Sequence, residues 1–221
     1  MIRHPWDISP RQAIQLQKEL AGEVTLSPLK EPIHTVAGVD CAFVVGGRSI
    51  ITAAVLCDAK TWKPIAVASD RRKCSFPYVP GLLSFREAPS ILAAIERLPE
   101  RPDIVMCDGQ GLAHPRRFGI ACHVGLWLDI PTMGVAKSRL CGRHRALGLR
   151  RGCCVKLRDD SSVIGAVLQT QDGVKPLYVS PGHMITLEDA IAWTLKAANA
   201  VRLPQPTRLA HQHVSHLKAR G

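Results

Sequence analysis

The chain has 221 residues, with 29 Lys and Arg against 18 Asp and Glu, which gives a formal charge of +11. That length reads as one domain over residues 1–221, and a 46% hydrophobic share with 21% charged residues excludes a disordered basic tail. No run reaches the ~20 apolar residues a membrane span needs, and Met1-Ile2-Arg3-His4-Pro5-Trp6-Asp7 lacks the apolar core of a signal peptide, so a soluble, cytoplasmic protein is expected.

Ser9-Pro10-Arg11-Gln12 carries the signals of a helix start: Ser as N-cap, Pro at the first helical position and Gln three after the cap. Ala13, Ile14, Leu16, Leu20 and Ala21 continue an apolar face to Gly22. Strands are predicted at Thr35–Val44, Ile50–Cys57 and Pro64–Ser69. The turns between them, Gly46-Gly47 and Asp58-Ala59-Lys60, are short, so the three strands form an antiparallel meander. A loop with Pro77 and Pro80 leads into a helix over Ser84–Leu98. A strand at Asp103–Cys107, a helix at Arg117–Leu128 and a strand at Pro131–Ala136 follow, a rhythm that implies parallel pairing. Arg150–Ser180 reads as further strands, Leu187–Ala200 as a helix, and the remainder as a tail punctuated by prolines.

The eight cysteines include no Cys-x-x-Cys pair, and Cys41, Cys57, Cys107 and Cys122 lie inside apolar runs, so reduced structural thiols are expected. The positive charge clusters at Arg71-Arg72-Lys73, at Arg116-Arg117, and at eight positions between Lys137 and Arg158. A basic surface of that kind suits a polyphosphate partner, most often a nucleic acid.

The acidic residues are more specific. Asp40 sits inside the first strand among Gly38, Val39, Cys41 and Ala42, where an unpaired carboxylate is costly and has no local backbone role. Glu87 lies in the first turn of the helix after the meander, and Asp108 at the carboxyl end of the next strand, before Gly109. If the first and fourth strands are neighbours, Asp40 and Asp108 stand side by side and Glu87 approaches from the covering helix. Three converging carboxylates call for a cation, and oxygen-only ligation selects Mg²⁺ or Mn²⁺. This plan suits a ribonuclease-H-like α/β fold, in which an antiparallel three-strand meander is continued by parallel strands with flanking helices. A carboxylate–Mg²⁺ centre on a basic surface points to phosphodiester chemistry.

The segments around these acids resemble signature blocks of the endonuclease V family. They are Val36-Ala37-Gly38-Val39-Asp40, the run from Phe76-Pro77-Tyr78-Val79-Pro80-Gly81 to Arg86-Glu87, and Asp108-Gly109-Gln110-Gly111 to Ala121. Gly134-Val135-Ala136-Lys137-Ser138, Val179-Ser180-Pro181-Gly182-His183 and Pro206-Thr207-Arg208-Leu209-Ala210-His211 complete six blocks, which occur in family order. The resemblance implies a monomeric repair enzyme that acts on DNA containing deoxyinosine and hydrolyses the second phosphodiester bond 3′ to the lesion. It would leave a 3′-hydroxyl and a 5′-phosphate and need Mg²⁺, with Mn²⁺ able to substitute. Inosine-containing RNA is the alternative substrate, and a non-catalytic nucleic-acid-binding module or a base-excising glycosylase are the rival classes.

Carried over by position, Asp40, Glu87 and Asp108 are the metal-binding and catalytic acids. Lys137 is a basic residue near the scissile phosphate, and His211 a fourth active-site residue that orients water, deprotonates it or ligates a second ion. Pro77, Tyr78, Val79 and Pro80 form a stiff, aromatic-tipped loop suited to wedging into a base stack. Gly81, Leu83, Ile120 and Leu140 are implied around a lesion pocket, and His114 is either a strand contact or a histidine bonded within its turn. Three features depart from the family pattern: Val79 replaces an isoleucine in the wedge, Cys41-Ala42 a more polar pair, and the Arg-rich stretch Cys141–Asp160 matches no block.

Overall fold

The computed structural model describes residues 3–199 and 201–220. Helix α1 (Pro10–Ala21) opens with the expected capping box, in which Gln12 N–H donates to the Ser9 hydroxyl and the Gln12 side chain accepts from Ser9 N–H. Strands β1 (Thr35–Val44), β2 (Ser49–Asp58) and β3 (Pro64–Lys73) form the antiparallel meander. β3 runs four residues beyond the predicted Ser69, through Asp70-Arg71-Arg72-Lys73. The charges are tolerated there because β3 is an edge strand, where exposed cations also discourage pairing with other chains.

Helix α2 (Leu83–Glu96), β4 (Ile104–Cys107), α3 (Ile120–Leu128) and β5 (Thr132–Ala136) come next, then β6 (Cys154–Asp159), β7 (Ser162–Leu168) and β8 (Leu177–His183). The sheet order is β3-β2-β1-β4-β5-β8-β7-β6. Parallel pairing is confined to β1–β4 and β4–β5, and β8, β7 and β6 extend the sheet with antiparallel pairs. Helix α4 spans Leu187–Ala197, and Ala200, the predicted end, lies outside the described residues.

The tail punctuated by prolines is mostly a fifteen-residue helix, α5 (Gln205–Ala219). Its prolines misled the reading: Pro204 precedes the helix and Pro206 occupies its first turn, where a missing N–H costs nothing.

Strand alternation divides the core. Ala37 and Val39 of β1, with Val105 and Cys107 of β4, pack under α2 and α3, whereas Val36, Ile104 and Met106 pack on the other face with Trp193 of α4. α5 lies on that second face, beside β1 and β2, where Ala210 is buried against Val55 and Cys57. Gly38 permits this: a Cβ there would stand 2.1 Å from the Pro206 carbonyl carbon, so the start of α5 rests directly on the β1 backbone. All eight cysteines are free thiols, with Cys57, Cys107 and Cys122 buried. Among the described residues no helix is long and apolar enough to cross a membrane.

Candidate active site and adjoining cavity

The parallel register of β1 and β4 pairs Val39 with Cys107, and Asp108 N–H donates to the Val39 carbonyl at 3.3 Å. Asp40 and Asp108 each follow one of these paired residues, so they leave adjacent strands at one level and on one face. Glu87, in α2, comes from the opposite face, near Cys41 and Cys107, whose thiols burial, and then the Glu87 carboxylate, hold in their protonated form.

Lys137, one residue past β5, forms an ion pair with Asp108. His211 reaches the edge from α5, its Nδ1 lying 2.8 Å from Asp40 Oδ2. The Gly38–Pro206 contact sets that distance, because two strand residues to Asp40 and five helix residues to His211 both advance about 7 Å. The two other histidines of the tail stay away from this edge: His216 is exposed, and His213 is half-buried against β2 and β3.

Charge at this edge is frustrated. Burial, then the Asp40 and Asp108 carboxylates, push Glu87 up to about 8. Burial and the Asp108 carboxylate likewise raise Asp40, against the His211 hydrogen bond and Lys137. The Glu87 carboxylate has no hydrogen bond among the described residues, although its side chain is buried.

Among the described residues no three side chains of His, Cys, Asp or Glu stand as a ready-made ligand set, because Asp40 is turned to His211 and Asp108 to Lys137. The donor chemistry nonetheless fits a hard divalent cation. Three carboxylates repel one another across one edge, the nearby thiols are protonated, and Glu87 would lose its proton to an added positive charge.

Beside the edge lies a cavity of about 180 Å³. Tyr78, Val79, Pro80, Gly81, Leu83, His114, Ile120 and Leu140, all singled out from the sequence, line it together with Gln17, Ser84, Gln110 and Gly119. Of the loop residues, Pro77 lies outside the lining, and Tyr78 is 73% exposed at the rim. The Arg86 guanidinium stacks at 4.4 Å over Phe43 and 5.9 Å from the Tyr78 ring, and donates to the Gly47 carbonyl.

The cavity floor is fixed through one backbone oxygen. The Gly81 carbonyl accepts from Gln17 Nε2 at 3.1 Å, His114 Nε2 at 3.0 Å and Arg116 Nη2 at 2.7 Å. Gly81 has φ +79°, a conformation that favours glycine, and a Cβ on it would lie 2.6 Å from Arg116 Nη2 and displace that guanidinium. His114 also accepts from Arg116 N–H through Nδ1. Both ring nitrogens therefore serve backbone groups, and burial with the neighbouring Arg116 charge depresses the imidazole to about 4. His114 thus sits as a neutral brace within its turn.

Sequence reasoning passed over Gln17 and Gln110. Gln17 interrupts the apolar face of α1 and is buried, its amide spanning the Gly81 and Phe118 carbonyls, and a polar residue on that stripe was the available signal. Gln110 donates through Nε2 to the Ser138 carbonyl, which fixes its amide orientation, and its buried Oε1 has no partner among the described residues.

A mixed sheet of this topology, with carboxylates gathered beside a cavity, is a ribonuclease-H-like fold, and the relatives that share it are nuclease hydrolases. Residues 18–212 match the Endonuclease V family model. The Endonuclease V of Azotobacter vinelandii is 49% identical over 210 residues, covering 95% of each chain. The solved Endonuclease V of Streptomyces avermitilis is 40% identical with a TM-score of 0.92, over 99% of this chain and 97% of that one. The Endonuclease V of Ciona intestinalis, solved with a 24mer DNA containing an inosine followed by a ribo-adenosine, shares the fold at 22% identity, with a TM-score of 0.82 over 96% and 98% of the two chains. The chain belongs to the Endonuclease V family.

Proposed function

We propose that this chain, acting as a monomeric single domain, recognises deoxyinosine in DNA and hydrolyses the second phosphodiester bond 3′ to it, leaving a 3′-hydroxyl and a 5′-phosphate. The observation that carries this reading is the juxtaposition of Asp40, Asp108 and Glu87 at the carboxyl end of the β1–β4 pairing with a base-sized cavity behind a rigid, aromatic-tipped loop. Asp40, Asp108 and Glu87 would hold Mg²⁺ or Mn²⁺. Such an ion, when bound, supplies Lewis-acid stabilisation of the phosphoryl oxygens and a more acidic water.

The remaining work falls to the chain's own groups. Lys137 places a positive charge beside Asp108, where it can bind a phosphate oxygen and favour the charge that develops on it. His211, bonded to Asp40, holds that carboxylate in orientation and offers a ring nitrogen to a water at the same edge. The Pro77–Pro80 loop presents Tyr78 to the base stack, and Arg86 steadies the ring from behind. In the cavity, the unpartnered Gln110 Oε1 is an acceptor. Hypoxanthine carries a hydrogen-bond donor at N1, where adenine has an acceptor, so this one atom favours the deaminated base. The eight free thiols suit a reducing, cytoplasmic setting.

An end-labelled duplex with one inosine, incubated with and without Mg²⁺, tests the proposal. A single Mg²⁺-dependent nick one nucleotide beyond the inosine's own 3′ bond is expected. Cleavage that persists in chelator, or an abasic product before any nick, would overturn it. A matched RNA substrate cut faster than the DNA would reassign the substrate to inosine-containing RNA.

A further inference from the structure

The Arg-rich stretch that matched no family block builds a separate feature of the surface. From Ile130 to Arg158 the chain contains no Asp or Glu, yet it carries eight Lys and Arg. Arg143, Arg145, Lys156 and Arg158, with His144 and Val155, line a concavity of about 560 Å³ at the β6 edge of the sheet. All four cations are exposed, and none forms an ion pair with a carboxylate among the described residues. Asp159, the nearest acid along the chain, is already taken by Arg117 at 2.7 Å, and Asp160 lies outside the lining.

The backbone holds these like charges together. Arg143 N–H donates to the Arg158 carbonyl at 2.6 Å and Arg158 N–H to the Arg143 carbonyl at 2.9 Å, so the two arginines face each other as an antiparallel pair. Like charges directly opposite across strands are destabilising. Gly142, at φ +79°, makes the turn that seats this segment: a Cβ there would stand 2.8 Å from the Arg158 carbonyl oxygen. A fold that forces cations together without a counter-charge is built for an anion from outside.

We infer that this concavity is a second phosphate-binding site, which grips the backbone of the duplex carrying the lesion, away from the bond that is cut. The inference rests on the functional reading above. One continuous segment supports it: Lys137 pairs with Asp108 at the carboxyl ends of β4 and β5, Leu140 lines the base-sized cavity, and Arg143 and Arg145 line the groove. β6 stands three strand spacings from β5, about 14 Å, which is about four base-pair steps along a duplex. A strand seated at Lys137 would therefore lay its backbone over the groove a few nucleotides away.

The test uses the triple variant Arg143→Gln, Arg145→Gln, Lys156→Gln on the full chain. Affinity is measured in chelator across 50–200 mM salt, with inosine hairpin duplexes extending about three or about twelve base pairs beyond the inosine. On the long duplex the variant should bind about tenfold more weakly at 0.15 M salt and lose about two to three from the slope of log K against log salt, the signature of phosphate contacts removed. On the short duplex the two proteins should agree within about twofold, since the groove is out of reach. A second variant, Arg143→Lys with Arg145→Lys, keeps the charge and should keep the slope, and it separates charge from any loss of folding. Equal slopes for wild type and triple variant on the long duplex overturn the inference, as does an equal loss on both duplexes. Mg²⁺-dependent nicking by the wild type is scored in parallel: its absence sinks the functional reading, whereas its presence with equal slopes sinks only the groove.

Discussion

The carboxylate edge and the cavity next to it are built by different means. At the edge, sheet register does the positioning: Asp40 and Asp108 follow paired residues of two parallel strands, and α5 brings His211 because it lies on Gly38. The cavity is made by loops, and its floor depends on donors from α1 and from the 114–116 turn meeting one carbonyl. The edge is charged and internally repelling, while the cavity is braced and nearly satisfied, with one open acceptor at Gln110. The proposed chemistry and the proposed recognition are thus held by separate structural elements, and substitutions should separate them.

The largest separation is expected from Asp108→Asn. It should lower nicking about a thousandfold or more, the several kcal/mol that metal-assisted stabilisation supplies, while affinity for the inosine duplex changes little. The same variant should abolish the Mg²⁺-induced rise in melting temperature. In the wild type that rise should be larger at pH 8 than at pH 6, because the cation must displace the proton that Glu87 holds up to about 8.

Next comes a test of the cavity brace. His114 is neutral in the fold at about 4, below its ordinary value of 6.5. The folded state therefore binds fewer protons than the unfolded chain between these values, and stability present above pH 6.5 is lost as pH falls toward 4. The full effect is about 3 kcal/mol. Urea titrations from pH 7 to 4.5 should show a steeper loss in the wild type than in His114→Gln, and parallel curves would refute the brace.

His211→Ala, which removes the partner of Asp40, should cost about 10–100-fold in the rate of the cleavage step in single-turnover assays, with the half-saturating concentration nearly constant. The smallest effect belongs to the rim: Tyr78→Ala should weaken lesion binding by roughly tenfold, the scale of one stacked base, and leave kcat at saturation close to wild type.

Much of the edge was legible in the sequence, because a carboxylate inside an apolar strand has few other uses and the neighbouring strand ended in another. The meander, the capping box of α1 and the helix carrying Glu87 were legible for the same local reasons. Helix α5 was not: its prolines look like breakers until their place in the first turn is known, and its seat on Gly38 is a contact across more than 160 residues. Nor could spacing reveal that Gln17, His114 and Arg116 share one acceptor, since convergence on a backbone oxygen leaves no pattern in a linear string. The extended β3 was missed because charged residues at an exposed edge mimic a loop.

The seat of α5 also sets an order of assembly. Polypeptides emerge from the ribosome amino end first, so all three acids and the lysine are made long before His211 exists. A growing chain that has already folded its sheet still has Asp40 without its histidine, and only extension through the last helix closes the arrangement. The Asp40–His211 contact therefore closes late in synthesis, after the strands that carry Asp40 and Asp108 have been made.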